Sequence, residues 1–217
     1  MSKPLLIVGN KNYSSWSLRP YMALKQTGIE FDEKLIRFGE PQFSKAVRRY
    51  SKASLVPILI HNDRVIWDSL AILEYVAETW PNRQLWPKNA EARTFARSMC
   101  AEMHSGFRAL RNACPMNIRR QPKPIEMSDA ILKDVARIEA LWAEARKRFG
   151  AKGEFLFDKF SNADAMFAPV ASRIETYDIK VGKNAKSYVA TVLSSDAFQE
   201  WKIAALKEPW IYPEDEL

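Results

Sequence analysis

The sequence predicts an α/β domain at residues 1–81 followed by an all-helical domain at residues 88–217. In the first part, short β-rich runs alternate with helical patterns. From Ala90 onward, the apolar residues recur only at helical spacing. The segment at 80–87 has two prolines and no periodicity, which makes it the best domain boundary in the chain.

The first part is predicted to contain a small sheet with helices between its strands. Leu5–Val8 forms a short apolar strand, expected at the sheet edge, and a helical pattern at 17–27 ends before Gly28. A second strand is predicted at 31–37 and a short helix at 42–50. Strand, crossover helix and strand, followed by a hairpin, is the thioredoxin-like arrangement.

The stretch at 56–75 is the most informative part of the chain. Two β-rich runs flank a polar turn at 61–64, a pattern typical of a hairpin. A helix predicted at 69–79 begins at Asp68-Ser69, where a hydroxyl and the first free amides make a seat for a carboxylate. The plainer alternative is that this pair only caps the helix.

A Val-Pro pair opens the same stretch. The bond between Val56 and Pro57 is the one type of peptide bond for which the cis form costs little free energy. A cis bond would turn the N–H and C=O of Val56 outward. These groups would then be free to pair with an extended, peptide-like ligand.

Together, Val56-Pro57 and Asp68-Ser69 resemble the glutathione-binding half of the cytosolic glutathione transferases. The resemblance implies that the backbone of Val56, beside a cis proline, holds the cysteinyl part of glutathione. It also implies that Asp68 and Ser69 hold the γ-glutamyl carboxylate. Relatives often use a lysine or glutamine directly before the valine to help bind the glycine end. Leu55 stands at this position here, and the candidates to take over the contact are Ser54 and Lys52.

The catalytic candidates lie in the turn after the first strand, which points at the ligand thiol in a thioredoxin-like domain. This turn has no cysteine, so the protein would stabilise a thiol that belongs to the ligand. A serine hydroxyl and the positive end of the following helix lower the pKa of such a thiol. The alternative for serines in this turn is a structural role as helix caps.

The same stretch resembles two transferase motifs, Ser-Ser-Cys-x-Trp-Arg-x-Arg-Ile-Ala-Leu of the zeta class and Ser-Pro-Tyr of many bacterial members. Aligning the Met-Ala-Leu at 22–24 with the end of these motifs places Ser14 on the catalytic serine and Ser15 on the second one. We therefore favour Ser14 as the thiolate partner over Ser15, with Tyr13 as the third candidate.

Zeta-class isomerases also hold the carboxylate of their substrate with an arginine near the end of the buried helix. Aligning Pro169 and Glu175 with that helix puts Thr176 at the arginine position, and Arg173 is expected to point elsewhere. We therefore predict glutathione transfer to a small electrophile. The alternatives are a maleylacetoacetate isomerase-like reaction and a non-catalytic binding or regulatory module.

In the second part, a helix is predicted to carry one apolar stripe that consists of Met99, Met103, Phe107, Leu110 and Cys114. The resemblance implies that the acceptor substrate lies between the domains, against this helix. The candidate acceptor residues are His104, Phe107, Arg108 and Arg111. Two arginines on one face favour an anionic or polar electrophile. The alternatives are that the arginines pair with acids of a second subunit, since the resemblance implies a homodimer, and that the histidine is structural.

A later helix start has the sequence of a capping box, Ser161-Asn162-Ala163-Asp164. The helix that follows is apolar on every side, which predicts a buried position in the middle of the second domain. Members of the family carry a Ser/Thr-x-x-Asp box in this helix. The box therefore supports the fold rather than the chemistry.

The composition argues against several other classes of function. The net charge is +7, but the basic residues are scattered apart from one cluster, and no nucleic-acid-binding signature is present. The two cysteines show no metal-ligand spacing, and no apolar run is long enough to span a bilayer. We expect a cytoplasmic protein that uses glutathione as its co-substrate, without a metal, a nucleic-acid partner or a membrane partner.

Overall fold

The computed structural model describes residues 2–150 and 153–216, which form a small sheet with flanking helices followed by a helical part. The strands are β1 (Leu5–Val8), β2 (Asp32–Leu35), β3 (Ile58–His61) and β4 (Arg64–Trp67). They lie in the order β2-β1-β3-β4, with β1 parallel to β2 and the other neighbours antiparallel. The predicted fold class, a thioredoxin-like α/β half followed by an all-helical half, is confirmed.

The strand β1 lies inside the sheet, so the prediction of an edge strand was wrong. Leu6 and Val8 face the main hydrophobic core on one side of the sheet. On the other side, a smaller core consists of Ile7, Ile36, Val47 and Ile58. Burial on both faces explains why this strand is a continuous apolar run without alternation.

Three helices complete the first half: α1 (Ser15–Gln26), α2 (Phe43–Arg48) and α3 (Ser69–Thr79). The helix α1 is the crossover between the parallel strands β1 and β2. It begins at Ser15, earlier than predicted, because Ser14 is the N-cap and its Oγ accepts a hydrogen bond from the Ser17 N–H at 3.3 Å. The bounds of α3 agree with the prediction.

The predicted hairpin is confirmed, since β3 and β4 pair around a turn formed by Asn62 and Asp63. Both turn residues have positive φ angles, 48° and 60°, as a two-residue type I′ turn requires. The peptide bond between Val56 and Pro57 is cis, also as predicted. The strand pairing of β3 begins at Ile58, so the backbone of Val56 lies outside the sheet ladder.

The second half contains, within the described residues, α4 (Ala90–Ser105), α5 (Arg108–Ala113), α6 (Asp129–Phe149), α7 (Asn162–Thr176), α8 (Lys183–Ser194) and α9 (Asp196–Leu206). A short 3-10 turn at Pro81–Arg83 precedes them. In the part of the chain that the structure describes, no helix has both the length and the apolar character needed to cross a bilayer.

The apolar stripe of the second half was predicted to lie on one continuous helix, and this prediction was wrong. The chain breaks at Gly106 and Phe107, where Phe107 has a φ angle of 55°. A Cβ atom at Gly106 would lie 2.7 Å from the backbone oxygen of Glu102, so the break requires a glycine. The stripe residues are buried all the same, because α4 and α5 both pack against the core.

The helix α7 is buried along its length, as predicted, and only Glu175 in its last turn is exposed. It packs against α1, α4 and α8. One continuous hydrophobic core therefore includes residues of both halves.

The predicted capping box at the start of α7 is present. The Oδ2 atom of Asp164 accepts hydrogen bonds from the N–H and the O–H of Ser161 at 2.8 and 3.0 Å. Its Oδ1 atom accepts from the Leu156 N–H at 3.1 Å and from the Tyr188 hydroxyl at 3.0 Å. Burial raises the pKa of this carboxyl to about 6, against the effect of its hydrogen bonds. Asp164 thereby ties α7 to the preceding segment and to α8.

We expect Asp164→Ala to lower the free energy of unfolding at pH 7 by ~3 kcal/mol or more, because each buried donor left without its acceptor costs ~1–3 kcal/mol. Ser161→Ala removes only one member of the box and should cost ~1 kcal/mol. Urea unfolding followed by circular dichroism measures both losses. The matched control is Asp129→Ala in the exposed first turn of α6, which should change stability by less than ~0.5 kcal/mol. A loss for Asp164→Ala as small as that of the control would contradict this role.

Candidate functional site

A hollow of about 290 Å³ lies where the N-terminus of α1 and the segment before β3 meet the helical half. The predicted site residues that line it are Ser14, Ser15, Leu55, Val56 and Arg111. Its other walls consist of Tyr13, Trp16, Phe38, Phe43, Asn112, Pro115, Met116, Arg173 and Asp215. The hollow thus brings together the predicted catalytic turn, the cis-proline segment and one predicted acceptor residue.

Ser14 is buried, with 4% of its surface exposed, and Ser17 holds it in place. The Ser14 Oγ accepts a hydrogen bond from the Ser17 N–H at 3.3 Å and lies 2.7 Å from the Ser17 Oγ. Ser15 is half-buried beside it as the first residue of α1. Because Ser14 caps α1, the hollow lies at the positive end of a helix, where a negative charge is stabilised. The helix-cap and site interpretations of Ser14 are therefore compatible.

The segment before β3 presents both backbone and side chain to the hollow. Val56 lines the hollow next to the cis bond, and the side chain of Leu55 is 68% exposed. Ser54 and Pro57 are not among the lining residues. Ser54 has a φ angle of 59°, and its Oγ accepts a hydrogen bond from the Nε of Arg48 at 2.8 Å.

Asp68 lies outside the hollow, and both of its carboxylate oxygens already have partners. The Oδ1 atom accepts hydrogen bonds from the N–H groups of Leu70 and Ala71 at 2.9 and 3.2 Å, so Asp68 caps α3. The Oδ2 atom lies 3.2 Å from the Nε2 of His104 in α4. The cap interpretation is thus realised, and this carboxylate also joins the two halves.

Ser69 is buried next to an equally buried arginine. The Nη1 of Arg19 donates to the Ser69 Oγ at 3.5 Å, while the Nε of Arg19 has no hydrogen-bond partner among the described residues. The guanidinium carbon of Arg19 lies 4.1 Å from the ring centroid of Trp16, and that of Arg111 lies 4.6 Å from the same centroid. Trp16 therefore makes cation–π contacts with two arginines.

Positive charge is concentrated around the hollow. Arg19 and Arg173 are buried, Arg111 is half-buried, and burial lowers the pKa of all three guanidinium groups. Repulsion between these arginines lowers the pKa of Arg19 and Arg173 further. The acids that oppose this effect are Asp68, close to Arg19, and Asp215, close to Arg173. Such an arrangement favours an anionic ligand.

The expectation that Arg173 points away from the site was wrong. Arg173 lines the hollow together with Ser14, and its Nε donates to the backbone oxygen of Cys114 at 2.6 Å. Cys114 is the C-cap of α5, and a helix C-terminus attracts a cation. Thr176, which the alignment had placed at the arginine position, is not among the lining residues. The sequence did offer one signal for a functional position of Arg173, because a charged residue is rarely buried in a largely apolar helix unless it has a specific partner.

Three of the predicted acceptor residues do not line the hollow. His104 contacts Asp68 and the edge of Trp16, with ring centroids 5.3 Å apart. Phe107 is buried in the core, and Arg108 is exposed. The break between α4 and α5 explains the difference, because helical spacing does not continue across it.

The C-terminal segment closes one side of the hollow and holds Tyr13. The Tyr13 hydroxyl donates to Glu216 and accepts a hydrogen bond from the Nη2 of Arg119 at 2.8 Å. Arg119 also donates to the backbone oxygen of Trp210 at 2.6 Å. Burial and the bond to Glu216 raise the pKa of Tyr13. This phenol and Arg119 together anchor the C-terminal segment.

Neither cysteine is among the residues that line the hollow. Cys100 and Cys114 are free and buried, and burial raises the pKa of both thiols. Across residues 2–150 and 153–216, no group of three His, Cys, Asp or Glu side chains is arranged to hold a metal ion.

Sequence comparisons identify similar proteins. Residues 13–79 match the family model described as "Glutathione S-transferase, N-terminal domain". A maleylacetoacetate isomerase from Rattus norvegicus is 28% identical over 181 residues, which cover 82% of this chain and 81% of that protein. A probable maleylacetoacetate isomerase from Caenorhabditis elegans is 31% identical over 110 residues, or 51% of this chain, and the match spans half of that protein's length.

A structural comparison extends the likeness to both halves. A glutathione transferase homologue from Burkholderia GL BGR1, solved with bound glutathione, superposes with a TM-score of 0.71 at 21% identity. The superposition covers 94% of this chain and 98% of that one. At this identity the comparison shows a shared fold.

Proposed function

Because the chain belongs to the cytosolic glutathione transferase superfamily, we propose that it is an enzyme that binds glutathione and activates its thiol for attack on a small electrophile. One observation carries this proposal. Ser14 and Val56 of the first half line the same hollow as Arg111 and Arg173 of the second half. The hollow thereby combines the Ser14 hydroxyl at a helix N-terminus, the backbone of Val56, which is proposed to pair with a peptide-like ligand, and two guanidinium groups.

Ser14 is the proposed partner of the thiolate. A hydrogen bond from its hydroxyl to the sulfur, together with the positive end of α1, favours the charged form of the thiol. A hydrogen bond to a charged group contributes ~1.5–3 kcal/mol. This corresponds to a pKa lowered by ~1–2 units from an ordinary thiol value of ~8.5. A substantial fraction of the thiol, roughly a quarter to three-quarters, would then be ionised and nucleophilic at pH 7.

The residues of the first half fit a γ-glutamyl tripeptide. The N–H and C=O of Val56 lie outside the sheet ladder and are proposed to pair with the cysteinyl backbone. Ser69 offers a hydroxyl at the start of α3, with the positive charge of Arg19 directly behind it, for the γ-glutamyl carboxylate. Asp68 is proposed to hold this helix start in position.

We expect Ser14→Ala to lower turnover with an aryl halide acceptor ~10–100-fold while leaving glutathione affinity nearly unchanged, because one hydrogen bond to a charged sulfur is lost. Steady-state kinetics and calorimetric titration with glutathione measure the two effects. Ser15→Ala, in the same hollow, is the comparison variant. If Ser15→Ala causes the loss and Ser14→Ala does not, Ser15 is the thiolate partner.

Ser69→Ala and Asp68→Ala should raise the KM for glutathione more than they lower kcat, because both residues act in ground-state recognition. Asn89→Ala is the matched control, since Asn89 caps α4 through a 2.9 Å hydrogen bond to the Ala92 N–H, away from the hollow. It should lower stability without changing glutathione affinity. Unchanged glutathione affinity in both Ser69→Ala and Asp68→Ala would contradict a role in glutathione binding. The two residues would then serve only to start α3 and to connect the two halves.

The acceptor is proposed to be a small electrophile with a negative or strongly polar group. Arg111 and Arg173 line the hollow, and Asp215 is the one acid among its lining residues. The position of Arg173 in the wall of the hollow favours a second candidate function, a glutathione-dependent isomerase acting on a carboxylate-bearing substrate. The similarity to maleylacetoacetate isomerases supports the same candidate.

We expect Arg111→Ala to lower kcat/KM for carboxylate-bearing acceptors ~10-fold relative to neutral acceptors, because a charge-assisted contact is lost from a half-buried position. Arg108→Ala is the matched control, since Arg108 is exposed and does not line the hollow. Equal losses for neutral and anionic acceptors would contradict the proposed pocket. Dissociation into monomers with intact selectivity would instead assign Arg111 to a subunit interface.

We further propose that the protein is a cytoplasmic homodimer and that the boundary between its domains lies at residues 82–87. The strand β4 is at the edge of the sheet and exposes apolar side chains, with Val65 39% and Trp67 55% accessible. Such an edge favours pairing with another chain. Light scattering should give a mass twice that of the 25.0 kDa chain, and a monomer would contradict the proposal.

A further inference from the structure

We propose that Ser17 orients the hydroxyl proton of Ser14 toward the hollow, which makes Ser17 a positioning residue for the thiolate. This inference rests on the proposed function, because it concerns how Ser14 reaches the sulfur of glutathione. It assigns a role to a buried side chain that does not itself line the hollow.

A continuous chain of hydrogen bonds runs from the end of β1 to the N-cap of α1. The Ser17 Oγ accepts a hydrogen bond from the Gly9 N–H at 3.1 Å and lies 2.7 Å from the Ser14 Oγ. The Ser14 Oγ also accepts from the Ser17 N–H at 3.3 Å. Ser17 has no exposed surface, so bulk solvent does not reach its hydroxyl.

The direction of the bond between the two hydroxyls follows from this burial. In the structure the Ser14 hydroxyl is placed as the donor to the Ser17 Oγ. A hydroxyl proton can rotate, and each of the two oxygens can donate or accept, so the opposite direction is also open to this pair. A buried hydroxyl proton without an acceptor is costly. Among the hydrogen bonds of the described residues, the Ser14 Oγ is the one acceptor for the Ser17 hydroxyl, since the Gly9 N–H is a donor. Burial therefore favours Ser17 as the donor and Ser14 as the acceptor.

Ser14 then receives two hydrogen bonds from Ser17 and keeps its own proton free. Because Ser14 lines the hollow, its proton can then point into the hollow, where the sulfur of bound glutathione is the proposed acceptor. With the opposite direction, Ser14 would use its single proton on Ser17 and would have none for the sulfur. Two incoming hydrogen bonds also polarise the Ser14 hydroxyl, and such cooperativity strengthens a hydrogen bond by roughly 10–30%.

The test measures the thiol pKa of bound glutathione from the ultraviolet absorbance of the thiolate as a function of pH. We expect Ser17→Ala to raise this pKa by roughly half a unit, about a threefold loss in the ratio of thiolate to thiol. Ser14→Ala should raise it by ~1–2 units. In the Ser14→Ala background, Ser17→Ala should add no further shift, because the oriented hydroxyl is absent. Ser17→Thr keeps a hydroxyl and should restore the wild-type pKa.

The matched control separates orientation from stability. Ser17→Ala also removes the acceptor of the Gly9 N–H and should lower stability. Thr27→Val removes another hydroxyl hydrogen bond of α1, to the Ala23 backbone oxygen at 2.6 Å, and should lower stability without shifting the thiol pKa. If Ser17→Ala does not fold, Ser17→Cys takes its place with the same expected direction, because a thiol is a weak donor.

Two results overturn the inference alone. The first is an unchanged thiol pKa of bound glutathione in Ser17→Ala. The second is a pKa shift in the double variant that equals the sum of the two single shifts, while Ser14→Ala alone has its full effect. A wild-type protein that does not bind glutathione, or does not lower its thiol pKa, overturns the proposed function and the inference with it. The two failures are therefore distinguishable.

Discussion

The packing of α1 against α7 is the constraint on which the site depends. The helix α1 belongs to the α/β half, whereas α7 is the buried centre of the helical half. Because the two helices share one hydrophobic core, Ser14 at the start of α1 and Arg173 in the last turns of α7 reach the same hollow. The hydroxyl comes from one half and the buried cation from the other. The integrity of the core and the geometry of the site are therefore linked.

The second organising feature is a group of arginines that are close together and largely buried. Burial of guanidinium groups near one another is unfavourable, and burial accordingly lowers their pKa values. The ring of Trp16, which lies close to Arg19 and Arg111, offsets part of this cost. Asp68 and Asp215 offset another part. A ligand with carboxylates would offset the rest, which is why the proposed tripeptide and an anionic acceptor suit the same region.

Helix caps and the proposed ligand contacts coincide in this protein because both use the free N–H groups at a helix start. Ser14 caps α1 and still lines the hollow, so a cap at this position does not argue against a chemical role. Asp68 differs, since its two oxygens are already bonded to α3 and to His104. Sequence reasoning placed the start of α3 correctly and the start of α1 two residues too late. The local pattern of a polar residue before a helix is the same in the two cases and does not distinguish a cap that lines the hollow from one that does not.

The sequence by itself determined the features that depend on near neighbours: the hairpin, the capping box at Asp164 and the turn without a cysteine. These follow from backbone preferences and from hydrogen bonds over a few residues. The cis state of the Val56–Pro57 bond was expected from the family resemblance, because backbone preference alone only lowers its cost. Only the tertiary structure decided that Arg173 reaches the hollow, that Tyr13 anchors the C-terminal segment and that Arg108 does not line the hollow. The first two depend on partners far away along the chain. The third depends on a break at Gly106 that changes the direction of every later side chain, because helical periodicity describes a face only while the helix continues.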